Sequence, residues 1–374
     1  MNNIQFIDLQ AQREYLGVRI DEAIARVLEH GHFIMGPEVK VFETQLSRFA
    51  KMERTASCSS GTDAISLPLM AWKIGPGDAV FVPSFTFAAT AEVVALTGAT
   101  PVLVDIRPDT FNIDTAHLQL AIAEIESAGE LTPRAIIAVD LFGQIADYPA
   151  LKMLAHAHGL KLIADAAQGL GSSLNGMQAG RWADVVTTSF FPAKPLGCYG
   201  DGGAALTNDH KLADIMESLR VHGKGADKYD NICIGLNARL DTLQAAILIE
   251  KLNIFSEEIE KRNLVASRYA QELGDVVTVP FIMDGAISTW AQYTLTVKNR
   301  DAVQATLKEL GVPTAVYYAK PLHQQTAYKD CPQGGNGLLV SERLADEVLS
   351  LPMHPYMDEK TQDFIIASVK KAVG

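Results

Sequence analysis

The chain has 374 residues, 48% of them hydrophobic and 20% charged, which suits an ordinary globular protein with one large and one small domain. A net charge of −12 excludes an extended nucleic-acid surface, because phosphate backbones need clustered Lys and Arg, yet it leaves room for a local pocket that holds a small anion. No run of 18 uncharged apolar residues occurs, and the start, Met1-Asn-Asn-Ile-Gln-Phe6, lacks the basic and apolar regions of a signal peptide; no membrane span is expected, and a cytoplasmic protein is.

Short apolar runs and helix-like segments alternate between residues 80 and 210. Ala79–Pro83 reads as a strand, a helix follows near Ala88–Leu96, and Thr100–Ile106 and Ala135–Leu141 are further strands. A helix fits Pro149–His158 and stops at Gly159; Lys161–Ala164 and Asp184–Ser189 are strands again. Such alternation predicts an α/β fold with a mainly parallel sheet and helices on both faces, and ligands bind such sheets beyond the carboxyl ends of their strands. Leu236, Leu240, Leu243 and Ile247 recur at spacings of 4, 3 and 4, which predicts a helix over Leu236–Leu252. Beyond it come a helix (Glu257–Gly274), a strand (Gln292–Lys298), a helix (Asp301–Gly311) and a closing helix (Glu359–Val373). The expected division is a large domain over residues 1–250 and a smaller α+β domain over 251–374. Cys58, Cys198, Cys233 and Cys331 lack metal-ligand spacing and form no disulfide framework, so reduced thiols and no metal are expected.

Three stretches just after strands or before helices carry chemistry. Ser59-Ser-Gly-Thr-Asp-Ala64 opens a helical segment, where small residues let backbone N–H groups approach a phosphate; Ser and Thr there are also ordinary caps. Pro68 is expected to kink or shorten that helix. Asp165 ends a strand, where a carboxylate can hold a pyridine nitrogen protonated or simply cap the next turn. In Ser189-Phe-Phe-Pro-Ala-Lys-Pro-Leu-Gly-Cys-Tyr-Gly-Asp-Gly-Gly203, Lys194 stands among apolar residues, Pro and Gly. Partial desolvation lowers a lysine's pKa and makes it a nucleophile, and the glycines suit close approach of a ligand.

The order of these stretches resembles the DegT/DnrJ/EryC1/StrS family of sugar aminotransferases, which use pyridoxal phosphate (PLP). The resemblance covers nearly the whole chain: Gly31-His-Phe-Ile-Met-Gly-Pro37 with Phe42-Glu43, Ser60–Ala64, Pro83-Ser-Phe-Thr-Phe87, Asp165-Ala-Ala-Gln168, the Lys194 loop and Gly235–Gln244. It implies a type I PLP-enzyme fold, that of aspartate aminotransferase. It further implies that Lys194 carries the cofactor as a Schiff base and that Asp165 pairs with the pyridine nitrogen. Gln168 would bond the ring's phenolic oxygen and Phe87 would stack on the ring. Ser60, Gly61, Thr62 and Ser189 would hold the phosphate, and Asn237 would reach it from the neighbouring subunit of a homodimer. The chain departs from the family's common forms at Pro195 and Gly169, where the pocket's shape is affected but no reacting group is lost.

Four more strings resemble the subgroup that aminates C3 of a UDP-2-acetamido-2-deoxy-3-oxo-glucuronic acid: Arg220–Gly225, Trp290–Thr294, Val316–Tyr318 and Leu351–Tyr356. The resemblance then implies a nucleotide-linked keto-sugar and an amino-acid donor, glutamate by expectation, in the synthesis of lipopolysaccharide or O-antigen amino sugars. Arg239 is the candidate for the sugar carboxylate, because a guanidinium meets a carboxylate with two parallel hydrogen bonds. Tyr317, Tyr318 and His323 are candidate sugar or pyrophosphate contacts. The alternatives are C4 amination of a 4-keto-6-deoxy sugar nucleotide, a sugar dehydratase, whose family members carry His in place of the Schiff-base Lys, and a non-catalytic relative. The last would be expected to lack Lys194 or Asp165, and both are present.

Overall fold

The computed structural model describes residues 4–227 and 229–374; Met1–Asn3, part of the start read above as non-secretory, lie outside the described residues. The chain opens with helices α1 (Leu9–Leu16), α2 (Val18–His30) and α3 (Pro37–Ala50). Strand β1 (Arg54–Cys58) leads into α4 (Gly61–Ala71), followed by β2 (Asp78–Pro83), α5 (Ala89–Leu96), β3 (Thr100–Val104), α6 (Thr115–Ala128), β4 (Thr132–Val139) and α7 (Tyr148–Ala157). Next come β5 (Lys161–Asp165), β6 (Ser173–Leu174), β7 (Val185–Ser189), β8 (Gly203–Thr207) and α8 (His210–Leu219). The remainder holds α9 (Thr242–Leu273), β9 (Ala286–Ile287), β10 (Tyr293–Thr296), α10 (Arg300–Glu309), α11 (Leu339–Glu347), β11 (Val348–Leu351) and α12 (Glu359–Val373).

Seven strands form one sheet in the order β1-β8-β7-β5-β4-β2-β3. Only β8 runs antiparallel to its neighbours; β7, β5, β4, β2 and β3 are parallel. Both faces are covered, and the strand residues divide between them with period two. Phe81, Ile136, Ala138, Leu162 and Ala164 pack with α3, α6, α7 and α9, while Val80, Val82, Ala135, Ile137 and Ile163 pack with α4 and α5. The mainly parallel sheet with helices on both faces is as the alternating runs predicted.

A second core lies elsewhere. Val265, Tyr269 and Leu273 of α9 join Tyr293, Leu295, Leu349 and Leu351 of the antiparallel β10–β11 pair, together with Leu307 of α10 and Ile365 and Val369 of α12. Helix α9 therefore serves two cores in turn. Leu248, Phe255 and Ile259 belong to the sheet's core, and Val265 onward to the smaller one. No helix among the described residues is long and apolar enough to cross a membrane.

Three local expectations are corrected. The helix predicted from Leu236 begins at Thr242, after Asp241 in extended conformation. Leu236–Leu240 is extended instead, because its backbone pairs elsewhere: Leu236 N–H donates to Leu219 O at 2.7 Å and Ala238 N–H to Arg220 O at 3.0 Å, and Asn237 bridges Val221. The predicted break between Leu252 and Glu257 is also absent, and α9 runs unbroken for 32 residues, with Ile254 and Phe255 buried. Pro68 does not stop α4, which continues to Ala71, because a proline forfeits a single N–H bond and its ring is buried here.

Candidate active site

Asp165 closes β5 and Ser189 closes β7, so the parallel pairing of these strands brings both residues to one edge of the sheet. Asp165 is buried, and its Oδ1 accepts a hydrogen bond from Ala167 N–H at 3.0 Å. Burial pushes its carboxyl pKa up, while the Ala167 N–H and the charge of Lys194 push it down. For Lys194 the logic reverses: desolvation pulls the amine's pKa down and the Asp165 charge partly restores it. A lysine and a carboxylate thus act on each other in dry surroundings, and the lysine has more neutral, nucleophilic amine near neutrality than an exposed one would.

The loop that carries Lys194 is tightly held. Phe190 N–H donates to Gly202 O at 2.8 Å and closes its base, Lys194 N–H donates to Phe191 O at 2.8 Å, and Cys198 N–H returns to Phe190 O at 2.8 Å. At Gly197 a Cβ would lie 2.4 Å from Pro192 O, so only glycine lets the loop fold back there.

Helix α4 points its N-terminus at the same edge. The Ser60 hydroxyl accepts from Asp63 N–H at 3.1 Å and caps the helix, and Ala64 N–H bonds Ser60 O. The N–H groups of Gly61 and Thr62 are left at the helix end, where an anion is favoured. Approach here is closer than side chains allow. A Cβ on Gly61 would stand 2.6 Å from Ser189 Cβ, and one on Gly203 would stand 2.2 Å from Ser60 O. The capping reading and the phosphate reading of Ser60 are therefore compatible, since the cap uses the side chain and leaves two backbone donors.

The remaining candidates fall into two groups. Gln168 is buried; its Oε1 accepts from Phe142 N–H at 2.8 Å and its Nε2 donates to the Tyr318 hydroxyl at 3.0 Å. Tyr318 also packs edge-on against Phe85, and Tyr317 lies beside it, half-buried. By contrast Phe87, between β2 and α5, is 58% exposed, although Phe is ordinarily a core residue. Asn237 is exposed and Arg239 half-buried, and neither side chain makes a hydrogen bond or ion pair among the described residues. Their neighbours Ala238 and Leu240 are buried, so the extended segment alternates. His323 is a correction. It is buried, with Nδ1 bonded to Ser84 Oγ at 2.7 Å and Nε2 to Glu342 at 3.0 Å. Both ring nitrogens are committed inside the chain, so neither is left free for a ligand.

Residues 14–370 match the DegT/DnrJ/EryC1/StrS aminotransferase family. The chain belongs to that family. It is similar, at 47% identity over 98% of its length and 99% of the relative's, to the UDP-2-acetamido-2-deoxy-3-oxo-D-glucuronate aminotransferase of Pseudomonas aeruginosa. A crystal structure of a DegT DnrJ EryC1 StrS aminotransferase from Brucella abortus superposes with a TM-score of 0.98 at 51% identity, covering 99% of this chain and 100% of that one. The structure of NtdA from Bacillus subtilis, with bound cofactor PMP, superposes at 0.86 with 30% identity, covering 98% and 83% of the two chains.

This aminotransferase works with PLP, of which PMP is the aminated form. The geometry fits such a cofactor. Among the described residues, two helix N–H groups without a partner stand where α4 packs so closely on Ser189 that only glycine fits at Gly61, and a buried carboxylate interacts with a lysine whose pKa is lowered by desolvation. Two buried groups in this aminotransferase escaped the sequence reading. Lys251 Nζ donates to Gly197 O at 2.7 Å. Leu248, Lys251 and Phe255 share one stripe of α9 at spacings of 3 and 4, so a lysine on an apolar stripe was the available signal. Asp140, just past β4, is wholly buried, and its Oδ1 accepts from Ala146 N–H at 2.9 Å and from the Tyr148 hydroxyl at 2.8 Å. Gly169 explains its fit, because a Cβ there would lie 2.3 Å from Asp140 Cβ. The departure at Gly169 thus makes room for a carboxyl.

Proposed function

We propose that this enzyme moves an amino group from an amino acid, glutamate in this reading, to C3 of UDP-2-acetamido-2-deoxy-3-oxo-glucuronate, in the synthesis of amino sugars for lipopolysaccharide or O-antigen. The observation that carries the acceptor is the full-length likeness to the Pseudomonas aeruginosa relative, whose name specifies that substrate. The reading places the enzyme in the cytoplasm and divides it into a cofactor-binding domain, residues 1–250, and a smaller domain, residues 251–374.

Bound PLP supplies an electron sink for the charge that develops at the donor's α carbon. Lys194 would hold the cofactor through its Nζ, and the same Nζ would move the proton at the donor's α carbon. Asp165 would pair with the pyridine nitrogen, and a carboxylate there would favour the protonated ring. Gly61 and Thr62 N–H groups, with Ser60 and Ser189, hold the phosphate; Phe87 packs against the ring, and Gln168, oriented by Phe142 and Tyr318, meets the phenolic oxygen. Asn237 and Arg239 serve the site of a second copy in a homodimer, Asn237 at the phosphate and Arg239 at the sugar's carboxylate. Tyr317 and Tyr318 line the sugar's side. Lys194 speaks against the dehydratase alternative.

The test is substrate choice. Offered the 3-oxo uronate and a 4-keto-6-deoxy sugar nucleotide in competition, the enzyme should aminate the uronate, with the new C–N bond at C3 by NMR. Preference for the 4-keto sugar would replace this reading with C4 amination.

A further inference from the structure

Lys251 is 1% exposed and makes no salt bridge among the described residues, although the charge of Glu258 acts on it. A buried ammonium without a salt-bridge partner is costly, and a lysine in that position calls for a use. Two contacts of its Nζ lie in the loop that carries Lys194. It donates to Gly197 O at 2.7 Å and sits 4.2 Å from the centre of the Tyr199 ring, within reach of a cation–π contact. Two turns earlier on the same face of α9, Gln244 takes hold of the next residues: its Oε1 accepts from Tyr199 N–H at 2.9 Å. The segment between Lys194 and Tyr199 is therefore fixed at both ends. Lys194 N–H is tied to Phe191 O, and Gly197 O and Tyr199 are tied to α9. At Gly197 the backbone runs so close to Pro192 O that a Cβ would lie 2.4 Å from it.

We propose that Lys251 is a positioning residue, which with Gln244 clamps the Lys194 loop to α9 and sets where the Lys194 amine stands relative to Asp165. The clamp acts through the loop backbone, and Lys251 itself touches neither cofactor nor substrate. Burial pulls its pKa down to about 8, which Glu258 and Cys198 partly oppose, and the Nζ can donate to Gly197 O in either protonation state. An error of about 1 Å in a reacting group can cost on the order of a hundredfold in rate, so a loosened loop is expected to show in chemistry before it shows in binding.

The inference rests on Lys194 as the cofactor-bearing lysine, and borohydride reduction of the wild-type holoenzyme separates the two ideas. An adduct on Lys194 upholds that assignment, and an adduct on Lys251 overturns both. The clamp is then tested in Lys251→Met and Lys251→Arg holoenzymes with glutamate alone. In Lys251→Met the maximal single-turnover rate should fall about tenfold or more. The apparent donor affinity and the bound PLP per chain should stay close to wild type. The visible circular dichroism of the cofactor and the pH midpoint of its absorbance should both change, and Lys251→Arg should recover part of the rate. Gln244→Leu, at the exposed end of the clamp, should shift the same observables less and covers the case in which the methionine variant does not fold. A cofactor spectrum and pH midpoint identical to wild type in both Lys251→Met and Gln244→Leu would overturn the proposal, as would a rate loss that tracks thermal stability alone.

Discussion

The two halves of the site are built on opposite terms. On the cofactor side, Asp165, Gln168, Ser60 and Ser189 each already bond within the chain, and glycines at 61, 197 and 203 allow contacts closer than side chains permit. Elsewhere in the site, Phe87 is largely exposed, and Asn237 and Arg239 carry polar groups with no partner among the described residues. The first half is organised before any ligand arrives, which is where electrostatic stabilisation is most effective. The second half is left to be completed, by substrate or by another copy of the chain.

The comparison breaks most visibly at Lys194. Lys194→Ala removes the amine that holds the cofactor and moves the α proton, and turnover should fall on the order of 10³-fold, within the range that proton-transfer groups supply. The Asp165 and α4 contacts remain, so the variant should still bind PLP noncovalently, and borohydride should no longer fix it to the protein. Retained turnover, or a fixed adduct on another lysine, would dissolve the distinction between the two halves.

A smaller loss is expected on the acceptor side. A sugar carboxylate in a partly dry pocket must meet a cation, and loss of such a contact costs about 2–5 kcal/mol. Arg239→Ala should lower kcat/KM for the uronate roughly thirtyfold or more while leaving the half-reaction with glutamate nearly unchanged. Single-turnover measurement of each half in turn checks this. An equal collapse of both halves would assign Arg239 to the cofactor or the fold.

Whether the open half is finished by a second copy is a separate question, answered by mixing two inactive chains. One carries Lys194→Ala and the other the Asn237→Ala/Arg239→Ala double substitution. In this reading Lys194 serves the site of its own chain, and Asn237 and Arg239 serve the site of the other copy. In a two-fold dimer with shared sites, hybrids carry one intact site, and random mixing should restore roughly a quarter of the wild-type sites. Activity that stays at the parental level, with hybrid formation verified by mass, would put Asn237 and Arg239 in the same site as their own Lys194.

What was legible in the sequence follows the same division. The strands at Ala79–Pro83, Thr100–Ile106 and Lys161–Ala164 were readable because buried parallel strands are continuous apolar runs. Asp165, Ser189 and Lys194 could be placed because chemistry gathers at the carboxyl ends of such strands. Leu236–Leu240 misled, because apolar residues spaced by four fit a helix as well as alternate positions of an extended segment; backbone pairing with Leu219–Val221 decides between them. His323 and Asp140 were harder to read, and Lys251 showed only as a lysine on an apolar stripe of α9. The setting of His323 depends on Ser84 and that of Asp140 on the gap left by Gly169, partners far along the chain that no local pattern encodes.

Asp140 leaves catalysis aside and tests how far organisation of the cofactor half costs stability. Burial pushes its carboxyl pKa up to about 8, against the Ala146 N–H and the Tyr148 hydroxyl, and the charge of Asp165 raises it further. An unfolded chain would titrate the same group near 3.9. Between these values the folded state binds the proton that the unfolded state has lost, so Asp140 lowers stability as pH rises from about 4 to about 8 and levels off above that. The sign is opposite to that of an ion-paired aspartate. Asp140→Asn mimics the protonated carboxyl, keeps Oδ1 as acceptor for Ala146 and Tyr148, and removes the titration. Denaturant unfolding of the holoenzymes at fixed PLP should therefore show the variant gaining on wild type as pH rises, by on the order of a few kcal/mol at pH 8.5. The two should converge toward pH 4.5. A constant difference across that range would mean that Asp140 is charged throughout and is held by its two donors alone.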